Sequence, residues 1–226
     1  MRNVPLLLGH RGARGFRSVP ENTLASFDLA LEHGCDGFEF DVRLTACGRA
    51  VVCHNPRVGN IVVADAHARQ LLDLPVLEDV LARYGDRVFL DIELKVEGLE
   101  SKLLSAIRDH PPRGFVVSSF LPSVILDLRA RSGRVPLGII CDQASQLACW
   151  PQSPAEYVIV ELGLANHDLI ARVQAAGKKL LVWTVNERRD MQRLASAGCD
   201  GIISDETQLL VKTLRTDGTP GNRPKT

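Results

Sequence analysis

The order of short apolar segments along the chain constrains its fold more than any other feature of the sequence. Eight runs of strand length alternate with stretches of helical periodicity through most of the 226 residues. Most of these runs are continuously apolar, as expected for a parallel sheet covered on both faces. They are Pro5–Gly9, Gly37–Val42, Val88–Leu94, Phe115–Ser119, Pro136–Ile140, Tyr157–Glu161, Lys179–Val185 and Gly201–Ser204. The pattern predicts the α/β class and a single-domain (β/α)8 barrel, or TIM barrel.

Helical patterns fill the intervals between the predicted strands. Thr23 or Asn22 can cap the first helix, and Gly34 follows its end. The predicted helices are Asn22–Glu32, Leu77–Arg83, Gly98–Asp109, Ser123–Arg131, His167–Ala176, Glu187–Ala197 and Thr207–Leu214, with a weak pattern at Gln143–Cys149. We expect one domain over residues 1–216. Residues 217–226 are rich in Gly, Pro, Thr and charge, which predicts a disordered tail.

One strand-like run, Ala50–Cys53, does not fit the alternation of strands and helices. Only the polar link Thr45–Arg49 separates it from the Gly37–Val42 strand. A parallel return needs a crossover of about a dozen residues, so this pair is expected to form an antiparallel hairpin. Such a hairpin would carry His54 over the carboxyl-terminal rim of the barrel.

Composition excludes several other classes of protein. Lysine plus arginine balance aspartate plus glutamate, 27 against 27, which argues against a nucleic-acid surface. The first residues lack the long apolar region of a signal peptide, and no stretch approaches a membrane span, so a cytoplasmic location without membrane insertion is expected. The six cysteines form no C-x-x-C pair. Buried thiols are the favoured interpretation, with a zinc site or disulfides as alternatives.

Charged side chains gather at the ends of the first three predicted strands. Residues two apart on a strand share a face, and in a TIM barrel the carboxyl-terminal strand ends meet at the active face. The side chains expected to converge there are His10 and Arg11 from the first strand, Glu39 and Asp41 from the second, and Glu93 and Lys95 from the third, with His54 from the hairpin. Each alone has a structural alternative, such as a salt-bridged rim, but their joint placement predicts a site.

The residue types in this predicted site indicate phosphodiester chemistry. Buried carboxylates are costly without a partner, and Glu39, Asp41 and Glu93 offer an all-oxygen set that suits Mg²⁺ or Ca²⁺ better than zinc. The two histidines would then be free for proton transfer, and Arg11 and Lys95 could hold a phosphate group.

Motifs in the same order along the chain carry a resemblance to a known family. They are Gly9–Gly12, Pro20–Phe27, Gly37–Val42, Val51–His54, Ile92–Lys95, Ser118–Phe120, Trp183–Asn186 and Gly198–Asp205. The chain resembles the glycerophosphodiester phosphodiesterases, relatives of the phosphatidylinositol-specific phospholipases C. The resemblance implies a TIM barrel, a divalent cation, and hydrolysis of glycerophosphodiesters to glycerol 3-phosphate and an alcohol.

The resemblance also implies a role for each matching position. By these matches the catalytic histidines are His10 and His54, the metal ligands are Glu39, Asp41 and Glu93, and the phosphate-binding cations are Arg11 and Lys95. Trp183 would lie near the glycerol or the head group, or would be an aromatic of the barrel core.

Three departures from the family pattern stand close to the second histidine. The family usually has Asp after this histidine, where this chain has Asn55, which brings no charge to a metal. The usual Asp of the hairpin turn is Cys47. The segment from 56 to 75 is short for the family, which predicts a more open site.

Two other functions remain as alternatives. A lysophospholipase D-like member of the same superfamily would need a membrane-docking surface, and the chain has only 5% aromatic residues and no amphipathic stretch to supply one. A catalytically inactive barrel that serves as a binding protein is the alternative from another class, since a fold does not prove activity.

Overall fold

The computed structural model describes residues 4–215. Its strands, numbered along the chain, are β1 (Leu6–His10), β2 (Gly37–Leu44), β3 (Ala50–Val52), β4 (Arg57–Val58), β5 (Ile61–Val62), β6 (Phe89–Leu94), β7 (Gly114–Ser119), β8 (Leu137–Cys141), β9 (Tyr157–Glu161), β10 (Lys179–Trp183) and β11 (Gly201–Ser204). Eight of them pair in parallel in the order β1-β11-β10-β9-β8-β7-β6-β2, and β1 also pairs with β2. This pairing closes the predicted TIM barrel, and every predicted barrel strand is present.

Seven α-helices lie between or after the described strands. They are α1 (Leu24–Glu32), α2 (Leu77–Tyr84), α3 (Glu100–Asp109), α4 (Pro122–Arg131), α5 (His167–Ala175), α6 (Arg188–Ala197) and α7 (Thr207–Arg215). Helix α1 begins after Thr23 because the Thr23 side chain caps it by accepting a hydrogen bond from the Ser26 amide. The weak pattern after β8 forms two 3₁₀ turns, Gln146–Ala148 and Trp150–Gln152, instead of an α-helix.

Alternation along the strands explains why an apolar sequence carries charges into the barrel. On β2, Phe38 and Phe40 point outward and pack against α1, where the rings of Phe27 and Phe38 stack with centroids 4.1 Å apart. The residues between them, Glu39 and Asp41, therefore face the barrel interior. A separate apolar cluster fills the rest of the interior, and it includes Leu8, Val116, Ile140, Ile159, Leu181 and Ile203.

The predicted hairpin over the rim is confirmed. Strand β3 pairs antiparallel with β2, with Val42 opposite Val52 and Leu44 opposite Ala50. The residues that follow, 56–75, form the short β4–β5 ladder and two 3₁₀ turns. Their apolar side chains pack with the hairpin in a small cluster of Val51, Cys53, Val63, Ala66, Leu71 and Val76. The packing of this segment against the hairpin fixes the path of the loop that carries His54.

Several further predictions concern features outside the barrel core. Cys35, Cys53, Cys141 and Cys199 are buried thiols outside any disulfide, as expected, whereas Cys47 and Cys149 are exposed. Between residues 4 and 215, no helix is long and apolar enough to cross a membrane. The predicted tail, 217–226, lies outside the described residues, as do both ends of the predicted domain.

Candidate active site

A cavity of about 230 Å³ opens at the carboxyl-terminal ends of the barrel strands. The sequence predicted eight residues for this face, and the structure brings all of them together. Seven of these line the cavity, and they are His10, Arg11, Glu39, His54, Glu93, Lys95 and Trp183. The eighth, Asp41, is fully buried and forms ion pairs with Arg11 and Lys95.

The tight turn after β1 aims Arg11 back over the barrel mouth. Arg11 and Gly12 both have positive φ, at 51° and 84°. A side chain at Gly12 would overlap Ser26 on α1, so the turn and the helix approach closely only with glycine. The result is that the Arg11 amide donates a hydrogen bond to Glu39 Oε2 at 2.9 Å.

Three carboxylates converge beneath this turn. One oxygen from each of Glu39, Asp41 and Glu93 lies within 4.8 Å of the others. Each carboxylate also accepts a hydrogen bond from the protein through one oxygen, the donors being the Arg11 amide for Glu39, Asn22 Nδ2 for Asp41 and Lys95 Nζ for Glu93. The second oxygen of Glu39, Oε1, is buried and has no hydrogen-bond partner among residues 4–215.

The pKa values of these acids are shifted by burial and by the closeness of other charged groups. Burial raises the pKa of Glu39 well above its usual value, and the charges of Asp41 and Glu93 raise it further. Burial, followed by the Asp41 charge, raises the pKa of Glu93 to about 7. Burial would also raise the pKa of Asp41, but Lys95 and Arg11 outweigh it and lower that pKa. A bound cation would relieve the repulsion, so the acidic cluster is compatible with a divalent metal ion.

Two cations balance part of this negative charge. Arg11 pairs with Asp41 at 3.2 Å and with Glu21 at 2.9 Å, and Lys95 lies 3.4 Å from Asp41. Burial alone would lower the pKa of Arg11, but the neighbouring carboxylates raise it, and the same holds for Lys95. Both side chains therefore present fixed positive charge to the cavity.

His10 is held on the barrel scaffold by a carboxylate. It is only 6% exposed, and its Nδ1 lies 2.7 Å from Asp205 Oδ1, just beyond the end of β11. Asn186 Nδ2 donates to the other oxygen of Asp205 at 2.9 Å. Burial would raise the pKa of Asp205, but its hydrogen bond with His10 and the His10 charge help to lower it to about 2. The ionised Asp205 keeps the proton of His10 on Nδ1 and leaves Nε2 for the cavity.

His54 reaches the same cavity from the loop that follows β3. Its Nδ1 lies 3.0 Å from the side-chain oxygen of Asn55, and its carbonyl accepts a hydrogen bond from Arg43 Nε at 2.7 Å. Burial lowers the pKa of His54, and the nearby Asp41 charge opposes this shift. His54 is therefore a half-buried imidazole whose burial favours the neutral ring.

The sequence analysis placed Trp183 either near the substrate or in the barrel core, and the ring lies both at the cavity and in the core. Its ring lines the cavity, and it packs edge-on against Phe120 with centroids 5.8 Å apart. It also belongs to the interior apolar cluster, and the ring of His10 lies 6.4 Å away. Trp183 is thus a wall of the cavity and part of the barrel core.

The sequence analysis gave no role in the active site to three polar residues that this site uses. Asp205 follows the eighth strand, so the strand-end rule that selected His10 would have found it. Asp91 shares a face of β6 with Glu93, lines the cavity floor and accepts a hydrogen bond from Ser118 at 2.6 Å. Only the structure identifies Asn22, since a left-handed backbone at φ 58° turns its amide toward Asp41.

Comparison with known proteins identifies the family of this chain. The model of the glycerophosphoryl diester phosphodiesterase family matches residues 10–79 and 75–209. A glycerophosphodiester phosphodiesterase of Caldanaerobacter subterraneus subsp. tengcongensis is 30% identical over 94% of this chain and 99% of its own length.

Solved structures agree with this match in their fold. The glycerophosphodiester phosphodiesterase of Thermotoga maritima has a TM-score of 0.80 at 24% identity, covering 94% of this chain and 99% of that one. An Oleispira antarctica phosphodiesterase in complex with the product sn-glycerol-3-phosphate has a TM-score of 0.81 at 23% identity, covering 94% and 98%.

The barrel and the matches together define a TIM-barrel enzyme of the phosphoric diester hydrolase class. The family model spans nearly all of the described barrel, from His10 at the end of the first strand to the start of α7. This chain belongs to the glycerophosphoryl diester phosphodiesterase family.

Proposed function

We propose that this enzyme hydrolyses glycerophosphodiesters to sn-glycerol 3-phosphate and an alcohol, with His10 and His54 as its acid–base pair. The observation that carries the proposal is the meeting of two histidines, a carboxylate cluster and two cations in one cavity. The product bound to the Oleispira antarctica relative supports the choice of substrate class.

The carboxylate cluster supports a divalent cation, Mg²⁺ or Ca²⁺, as cofactor. Glu39, Asp41 and Glu93 would hold it, because they converge and the buried Glu39 Oε1 lacks any other partner within residues 4–215. Hard cations prefer such all-oxygen sets. When bound, the ion would supply positive charge that stabilises the developing charge on the phosphate oxygens.

The cations on the cavity wall would orient the phosphate. Arg11 offers planar donors and Lys95 a point charge, and both are held by carboxylates rather than by flexible loops. Their charge opposes the negative charge that grows on the non-bridging oxygens in the transition state. They would therefore bind the substrate and also favour its reaction.

The two histidines would move the protons. One takes the proton of the attacking hydroxyl as its oxygen bonds to phosphorus, and the other donates a proton to the leaving oxygen as its bond to phosphorus breaks. The attacking hydroxyl is either water or a neighbouring hydroxyl of the substrate. The Nδ1 contact with Asp205 supports a role for His10 Nε2 in this exchange.

A panel of glycerophosphodiesters tests the proposal directly. Purified protein is assayed with Mg²⁺, Ca²⁺ or a chelator, and glycerol 3-phosphate is measured by phosphorus NMR. We expect turnover with a cation and its loss with the chelator. Faster choline release from lysophosphatidylcholine than from glycerophosphocholine would favour the lysophospholipase D alternative. Inertness toward every diester with either cation would leave the binding-protein alternative.

Metal binding has its own test. Glu39→Gln keeps the shape of the side chain but removes a charged oxygen. Calorimetry is expected to show at least about tenfold weaker Mg²⁺ binding, since loss of an outer-shell partner of a metal ligand already costs about that much. Glu78→Gln, an exposed acid on α2, is the matched control and should bind like wild type. Equal affinities for both variants would remove Glu39 from the ligand set.

A further inference from the structure

The walls of the cavity differ sharply between its two sides. On the side of β1, β2 and β6 they are charged, with the cations and carboxylates described above. On the side of β7 to β11 the lining is apolar, built from Phe120, Ile140, Ile159, Trp183 and Ile203. Among the described lining residues, one charged side chain interrupts this apolar side, and it is Asp142.

Asp142 is exposed at the point where the chain leaves β8. Its amide donates a hydrogen bond to Gln146 Oε1 at 2.7 Å, which ties the residue to the following 3₁₀ turn. Its carboxylate has no hydrogen bond or ion pair within residues 4–215. The other lining carboxylates differ, since Glu39, Glu93 and Asp91 each accept a hydrogen bond from the protein. Asp142 therefore offers an uncommitted negative charge to the occupant of the cavity.

We propose that Asp142 selects substrates by the charge of the alcohol group and favours a cationic head group. This inference rests on the proposed function. With the phosphate held beside Arg11 and Lys95, the rest of the substrate extends toward the apolar side. An ammonium group there can pair with the Asp142 carboxylate and lie close to the ring of Trp183, whose π system attracts cations, whereas the Phe120 ring already has Lys95 Nζ 5.4 Å from its centroid.

The apolar wall increases the preference for a cationic head group over a neutral one. The methylene and methyl groups of an ammonium alcohol suit a wall of isoleucine and aromatic side chains. A neutral polyol gains neither the ion pair nor the cation–π contact. Because the carboxylate is exposed, its preference should be modest, and salt should screen it.

The experiment compares substrates that have a cationic or a neutral head group on two variants. Glycerophosphoethanolamine and glycerophosphocholine have cationic head groups and are called the cationic substrates below, whereas the head group of glycerophosphoglycerol is neutral. Asp142→Asn keeps hydrogen bonding but removes the charge, and kcat/KM for both cationic substrates should fall about fivefold, the scale of an exposed ion pair. Glycerophosphoglycerol should be turned over as before. Asp86→Asn, an exposed acid in the turn before β6, is the control with the same change in net charge.

Other outcomes overturn the inference. An equal loss on all three substrates would mean that Asp142 contacts the shared glycerol moiety, and unchanged values would mean that it contacts no substrate. If wild type turned over none of the three, the proposed function would fail separately. Calorimetric binding of glycerophosphocholine and glycerophosphoglycerol would then decide the charge preference, and equal affinity of wild type and Asp142→Asn for the cationic ligand would refute it.

Discussion

The two histidines of the cavity are held in different ways. His10 ends a barrel strand, is almost fully buried and contacts a carboxylate, Asp205. His54 follows a hairpin strand, is half-buried and contacts the neutral side chain of Asn55. A carboxylate places a charge behind the ring that it orients, whereas an amide orients the ring without a charge. The comparison teaches that one cavity can hold two imidazoles, one fixed on the barrel by a charged partner and one oriented on a loop by a neutral partner.

The supports behind the two partners differ as well. Asp205 is itself fixed by Asn186, which donates to its carboxylate and accepts from its amide. Asn55 directly follows His54 in the sequence, so both residues move with the same loop. We expect His54 to be the more mobile of the two.

Removing either imidazole ring is expected to have the largest effect on activity. His10→Ala and His54→Ala should each lower kcat by at least about 10²-fold, the usual contribution of a general acid or base. Calorimetric melting should show that both variants still fold. His110→Ala, an exposed histidine at the end of α3, is the control and should keep full activity. Near-normal turnover in either site variant would take that histidine out of the acid–base pair.

Removing the charge beside His10 comes next in size. Asp205→Asn should lower kcat by about tenfold or more, because an amide no longer stabilises the protonated ring or fixes its tautomer. KM should change little, since Asp205 lies behind the histidine. Calorimetric melting separates this role from a general structural defect, and the variant should unfold at nearly the same temperature as wild type. A rise in KM that matches the fall in kcat would contradict the positioning role.

Adding a charge beside His54 is the smallest test. Asn55→Asp gives His54 the kind of partner that His10 has, so it should raise the pKa of His54, which burial now lowers. The limb of the pH–rate profile that reports His54 should move to higher pH, because a close carboxylate favours the charged imidazole. Turnover at the optimum should stay within about threefold, because the ring and its contacts remain. A limb that stays in place would mean that Asn55 does not control His54.

The barrel could be predicted from the sequence because its signals are local. Apolar runs of strand length marked all eight barrel strands, and the short link before Ala50 marked the hairpin. Alternation on β2 and β6 then placed Glu39, Asp41 and Glu93 on one face, and register put Asp41 opposite Glu93. Local periodicity and strand ends were sufficient for the charged side of the cavity.

The rest of the site depends on contacts between distant segments. Asn22 contacts Asp41 across 19 residues, and Asp205 contacts His10 across 195. Strand ends place Asp205 on the active face without naming its partner, and no local pattern indicates the contact of Asn22 with Asp41. Asp142 was also missed, because a single acid after a strand resembles an ordinary solvated turn. The residue types could be read from the sequence, but which distant residues contact one another could not.

The β8–β9 connection has a consequence for local unfolding. Between residues 4 and 215, it is the barrel connection built from 3₁₀ turns alone, with Trp150 as its buried anchor. A segment that buries little apolar surface opens at low free energy without unfolding the whole domain. Its amides should exchange with deuterium through local fluctuations, while β8 stays protected. Since Asp142 begins this segment, the apolar side of the cavity can rearrange at little cost to the barrel.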